Sequence, residues 1–138
     1  MMPVLNEKVS YYFSKLTSGK YKEVKVSQNY ELVVVENKGD VLSGELLSNG
    51  AWDQVYLSLR LALVDMLFKE EKIPLIFDDA FVQYDDNRLE NVLEVLSEIS
   101  YKRQIILFSC QRREVEILKN MATKIDILNA EMQVLELI

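Results

Sequence analysis

The sequence predicts an α/β fold in which an N-terminal helix and a small antiparallel β-sheet are followed by a βαβ parallel-sheet layer. Three observations predict it. Apolar residues recur at spacings of three and four from Leu5 to Leu16, and they alternate with polar ones from Tyr21 to Val35. Two short apolar runs, 73–77 and 104–108, then flank an amphipathic stretch, the order expected of strand, helix and strand.

Leu5, Val9, Tyr12, Phe13 and Leu16 share one helical face, and "TSGK" at Thr17–Lys20 ends the helix, with Gly19 as its C-cap. Tyr21, Val24 and Val26, then Tyr30 and Leu32 to Val35, mark two or three strands turning at Gln28-Asn29 and at Asn37–Asp40. After "LSNG" (Leu47–Gly50), Asp53–Lys69 is apolar on nearly every side apart from Gln54, Ser58, Arg60 and Asp65, which predicts a buried helix. Ile73–Phe77 reads as a doubly covered parallel strand. Leu89, Val92, Leu93, Leu96 and Ile99 make the next helix, Gln104–Phe108 a second buried strand and Arg112–Asn120 another helix. Lys124–Leu128 and Met132–Ile138 read as closing strands. The crossover from the first parallel strand to the second is expected to be right-handed.

At 138 residues, with 49% hydrophobic and 28% charged, the chain is expected to form one ordinary globular domain. Apolar stretches such as Leu61–Val64 are too short to cross a bilayer, so no membrane partner is expected. The opening Met1-Met2-Pro3-Val4 lacks a secretory pattern, and the single Cys110 permits no internal disulfide; both point to a cytoplasmic setting. A net charge of −6 argues against a surface that grips phosphate backbones by charge alone. The chain has no histidine, which removes Ser-His-Asp chemistry and the usual zinc ligands.

Two stretches carry chemistry. In "PLIFDDAFVQYDD" an apolar strand runs directly into Asp78-Asp79, placing two carboxylates at its carboxyl end, where ligands of open α/β sheets bind. Such an acid can hold Mg²⁺ and its neighbour can orient an attacking water; the plain alternative is a strand entering a polar turn. In "LSNGAWDQ", Ser48 and Gly50 stand at the start of a long helix whose first turn offers free N–H groups and a positive dipole end. Here the plain alternative is a good N-cap.

Taken in order, these parts resemble the C-terminal lobe of an ABC-type ATPase head of the SMC and coiled-coil DNA-repair group. "LSNGAWDQVYLSLRLAL" is similar to that group's signature motif and helix, "PLIFDDAFVQYDD" to its Walker B strand and D-loop, and "QIILFSCQ" to the strand before its switch residue. The resemblance covers roughly residues 45–120. It implies that Ser48 and Gly50 contact the γ-phosphate of ATP held by an opposite subunit in a head-to-head homodimer. It also implies that Asp78 serves Mg²⁺ and that Asp79 occupies the position of the catalytic acid. Asp85 and Asp86 would lie in the D-loop at the dimer interface, and Gln111 would stand at the switch-histidine position. Arg60, a lone cation on the signature helix, would couple that helix to the rest of the head or form a buried structural ion pair. By the same resemblance, residues 1–18 end a returning coiled-coil helix, and 19–138 form the lobe. DNA and a nuclease subunit would be partners of the full assembly.

The sequence departs from this pattern twice. No phosphate-binding loop G-x-x-x-x-G-K-[ST] is present: Gly39 and Gly44 have its spacing, but Glu45-Leu46 follow, and a glutamate there repels phosphate. The sequence is therefore expected to be half of a head, the Walker A lobe being supplied from elsewhere. Gln111 can donate to a phosphate oxygen and accept from a water but cannot carry charge or shuttle a proton. Because positioning and electrostatics dominate phosphoryl transfer, slow hydrolysis is the expectation. A non-catalytic docking module is the rival reading.

Overall fold

The structure is a computed structural model that describes residues 2–26, 29 and 31–124. Helix α1 (Met2–Leu16) starts earlier than its apolar periodicity does. It stops where expected: Gly19 N–H donates to Ser14 O at 2.8 Å, with Ser18 and Gly19 at φ 51° and 78°. A side chain at Gly19 would meet nothing within 4 Å, so the left-handed backbone, not space, is what favours glycine.

Three strands follow, β1 (Tyr21–Val26), β2 (Leu32–Glu36) and β3 (Val41–Ser43), in an antiparallel sheet of order β1-β2-β3. Val24 pairs with Val34, and Val34 with Leu42, so the alternation puts Val24 and Val34 in the core. The second turn closes as Glu36 N–H donates to Asp40 O at 2.8 Å around Gly39 at φ 95°. The first, at Gln28-Asn29, lies outside the described residues except for Asn29, and the strand residue Tyr30 lies outside them too.

Helix α2 (Asn49–Leu67) begins four residues before Asp53 because Ser48 caps it. It packs with α1, which also covers β1. Three polar groups lock this arrangement. Ser10 Oγ accepts from Val24 N–H at 2.9 Å, Tyr12 OH donates to Asp65 Oδ2 at 2.5 Å, and buried Gln54 donates to Leu16 O at 2.7 Å. The last bond gives a partner to one of the carbonyls in the final turn of α1.

The expectation that α2 is buried all round is corrected. Ala51, Gln54, Val55, Ser58, Leu61 and Ala62 are buried, but Tyr56, Leu63 and Leu67 are exposed, Leu67 to 70%. Arg60 lies on that open face. A cation in contact with water needs no buried counter-charge, so the requirement for a partner falls away.

A second compact unit divides from the first between Glu71 and Lys72. In it β4 (Leu75–Asp78) and β5 (Ile105–Phe108) pair in parallel, Leu75 opposite Ile105 and Asp78 opposite Phe108. Between them runs α3 (Asp86–Ser100), burying Leu89, Val92, Leu93, Val95, Leu96 and Ile99 on one face. Helix α4 (Arg112–Lys124) packs against α3.

The parallel pairing is as expected; the double covering is not. Ile76 is 62% and Phe108 50% exposed, so each strand carries an apolar side chain that is open where a doubly covered sheet would bury it. Lys124, expected to open a strand, ends α4; the rest of both closing strands lies outside the described residues. No helix among the described residues is long and apolar enough to cross a membrane.

Candidate functional site

In the first unit the candidate residues stand at the start of α2. Ser48 is extended, with φ −65° and ψ 157°, and its Oγ accepts from Ala51 N–H at 3.2 Å. A hydroxyl accepting at the cap still has its own proton to donate outward, so cap and phosphate contact are compatible roles for Ser48. Asn49 and Gly50 form the first turn, which holds no acidic residue to compete with an anion.

Close by in sequence, Gly44 is held tightly: a Cβ there would sit 3.0 Å from Leu32 Cβ and 3.2 Å from the Trp52 ring. Glycine lets the chain pass from β3 into α2 in contact with β2. The Gly39–Gly44 spacing is thus filled by a turn and a strand, not by a phosphate-binding loop.

The second unit places the acids and the switch residue at the carboxyl ends of β4 and β5. Asp78 is the last residue of β4 and is exposed. Asp79 follows at φ 45°, a left-handed conformation that a non-glycine residue adopts only when its surroundings enforce it. Two bonds do so: Asp79 N–H donates to Phe108 O at 2.9 Å, and Asp79 Oδ1 accepts from Cys110 N–H at 3.0 Å. The loops leaving adjacent parallel strands are thereby joined through one carboxylate.

That contact has an electrostatic consequence. The Cys110 thiol is lifted above its usual range by its hydrogen bond to Asp79, then by that residue's negative charge. A thiol so held stays protonated at neutral pH and makes a poor nucleophile.

The turn after β4 is pinned by aromatics. Phe81, 2% exposed, lies 5.5 Å from the Phe77 ring and 5.4 Å from that of Tyr84, centroid to centroid. Asp85 then caps α3, accepting from Arg88 N–H at 2.9 Å and pairing with the Arg88 guanidinium at 3.0 Å. Asp86, in the first turn, pairs with Arg113 at 3.0 Å.

Gln111 N–H donates to Ser109 Oγ at 3.0 Å, and Gln111 Oε1 accepts from Arg113 Nε at 2.7 Å. Arg113 also donates to the carbonyls of Phe81 and Val82 at 3.2 and 3.3 Å. Sequence reasoning passed over Arg113; its place two residues after Gln111, in the first turn of a helix, was the available signal. It passed over Glu114 too, a residue 1% exposed whose carboxylate has no hydrogen-bond partner among the described residues. Glu114 lies in the first turn of α4, at the positive end of that helix.

The structure therefore joins Asp86 and Gln111 through Arg113 and ties Asp79 to the backbone of Cys110, the residue before Gln111, with Asp78 and Asp85 next to them in sequence. Ser48, Gly50 and Arg60 belong to the other unit. No group of three or more potential metal ligands occurs among the described residues. A lone exposed carboxylate still fits Mg²⁺, which keeps several waters and takes one or two carboxylates alongside substrate phosphates.

Known structures share this architecture. One from work on the ATP-driven dimerization and DNA-stimulated activation of SMC ATPases superposes with a TM-score of 0.69 at 18% identity, covering 84% of this chain and 73% of that one. The SMC head domain from Thermotoga maritima gives 0.66 at 23% identity, covering 83% and 40%. This chain has the fold of an SMC head.

The part it matches is the C-terminal lobe. An SMC head of Pyrococcus furiosus with an extended coiled coil, bound to the C-terminal domain of ScpA, superposes at 0.61 with 18% identity, covering 83% of this chain and 30% of that one. No family model matches the sequence. Among curated proteins, the uncharacterised YhaN of Bacillus subtilis is 37% identical over 111 residues, which are 79% of this chain and 12% of YhaN. An uncharacterised Mycobacterium tuberculosis protein is 36% identical over 66 residues, 48% of this chain and 8% of its own length. The chain thus spans a small part of the curated relatives it matches.

Proposed function

We propose that this chain is the C-terminal half of an SMC-like ATPase head, supplying signature motif, Walker B acids and switch residue to ATP-dependent head dimerisation and slow hydrolysis in DNA repair or chromosome metabolism. The observation that carries the proposal is the bond from Cys110 N–H to Asp79 Oδ1, which ties the acid after β4 to the loop before Gln111. A strand running into a plain polar turn has no reason to hold its acid at positive φ against a loop 31 residues away.

In this reading α1 forms the last turns of a returning coiled-coil helix. Asp78 holds Mg²⁺, which neutralises charge on the β- and γ-phosphates. Asp79 orients the attacking water, and Gln111 contacts the γ-phosphate. Ser48 and Gly50 meet the γ-phosphate of ATP bound by the partner head, and Asp85 and Asp86 lie at the dimer interface. The open stripe of Tyr56, Leu63 and Leu67 also favours a second reading, a docking module without catalysis.

Joining the chain to a Walker A lobe tests both. The expected result is slow Mg²⁺-dependent ATP turnover with ATP-dependent doubling of mass on sizing; a folded head without turnover leaves only the docking module. The chain without that lobe is expected to show no saturable ATP binding by calorimetry at sub-millimolar nucleotide, since the missing loop and lysine cradle the β- and γ-phosphates. Tight binding by the chain alone overturns the half-head assignment.

A further inference from the structure

Arg113 makes four hydrogen bonds to three separate pieces of the second unit. Nε donates to Gln111 Oε1 at 2.7 Å, Nη1 to Asp86 Oδ1 at 3.0 Å, and Nη2 to Phe81 O and Val82 O at 3.2 and 3.3 Å. A guanidinium is planar and its donors are fixed in one fork, so these acceptors are held in one mutual geometry.

Its chemistry also decides which end of the glutamine is available. Arginine has donors and no acceptor, so the side chain of Gln111 must turn its oxygen toward Nε. Its NH₂ group then faces away from Arg113, and Gln111 acts as a donor. Oε1 spends one of its two lone pairs on Nε and keeps the other for a water.

We propose that Arg113 is the positioning residue of this site. It aims the Gln111 amide as a donor to the γ-phosphate and couples that aim to the position of the D-loop. Phe81, buried among aromatic rings, fixes one side of the fork. Val82 and Asp86 are exposed, and Asp86 keeps 85% of its side chain open to solvent. A second head pressing on the D-loop would therefore move the exposed side of the fork and, through the guanidinium, the amide of Gln111. This rests on the head reading above, and it adds that dimer contact and the switch residue communicate through one side chain.

The test has two arms. In the chain as it stands, NMR of side-chain amides is expected to show the Gln111 NH₂ signals, and the backbone amides from Ala80 to Tyr84, shifting in Arg113→Ala. Unmoved Gln111 signals overturn the positioning role whatever the protein does with ATP. In the head joined to a Walker A lobe, Arg113→Ala is expected to lower kcat by about 10–100-fold, the scale of a small misplacement, with KM for ATP within about twofold.

The double variant Arg113→Ala/Gln111→Ala is expected to be no slower than Gln111→Ala alone, because the two residues act as one unit. Arg113→Lys keeps the charge and protects the fold but lacks the fork, so it is expected not to restore turnover. Additive losses, or rescue by lysine, overturn the positioning role. A parental head that fails to hydrolyse ATP removes the head reading instead and leaves the amide result standing on its own.

Discussion

Ser48 and Asp79 are both candidate phosphate-site residues, and they are held in opposite ways. Ser48 is fixed by a bond to Ala51, three residues on, in an ordinary extended conformation before a helix. Asp79 sits at φ 45° and is fixed by Phe108 and Cys110, about thirty residues away. A cap is stable wherever its helix forms. A left-handed aspartate persists only while two strands and two loops hold their places. The first kind of site is present before any partner binds, whereas the second is sensitive to whatever displaces the loops around it.

The sharpest break in this comparison comes from Ser48→Arg in a head restored with its Walker A lobe. Loss of the cap costs roughly 0.5–2 kcal/mol, and a cation at the positive helix end costs about 0.3–1 more. Both are small beside the stability of an ordinary domain, so the fold should survive. ATP-driven dimerisation and hydrolysis should be lost, with nucleotide binding to each monomer's own Walker A loop preserved. Turnover, binding and sizing on one folded variant check this; retained turnover excludes Ser48 from contact with the phosphate.

Asp79→Asn comes next. The amide keeps the shape and can still accept from Cys110 N–H, but it has lost the charge that orients water. Turnover should fall by about 10²–10⁴-fold, with ATP binding intact and the ATP-bound dimer trapped on sizing. Parental turnover in this variant would remove Asp79 from the chemistry and leave it a structural tie between two loops.

A smaller effect tests the local half of the comparison. Asp85, like Ser48, caps a helix by a bond three residues on, to Arg88 N–H at 2.9 Å. Asp85→Ala should destabilise the chain by about 1 kcal/mol in urea unfolding, nearly all of it from the cap. The exposed pair with Arg88 adds little, so the loss should change little with added salt.

The smallest is chemical. Because Asp79 raises the Cys110 thiol, alkylation of the parent should be slow at pH 7 and accelerate only at a pH above that of an unperturbed cysteine. In Asp79→Asn the pH–rate curve should move to lower pH, since a smaller fraction of the thiol is then held protonated. Coincident curves would mean that Asp79 and Cys110 do not meet in solution.

The sequence by itself determined the elements and the local devices. Periodicity from Leu5 to Leu16, alternation through Val24 and Val34, and short apolar runs before Asp79 and Ser109 need only neighbouring residues to be read, and so do caps such as Ser48. Only the tertiary structure decided which faces are covered. Apolar composition made α2 and both parallel strands read as buried, yet Tyr56, Leu67, Ile76 and Phe108 are open, because burial depends on what packs against a face and not on what the face is made of. The Arg113 network was illegible for a related reason. Its acceptors are two backbone carbonyls, an exposed carboxylate and a side-chain amide lying up to 32 positions from the arginine, and backbone oxygens carry no residue type for a sequence to display.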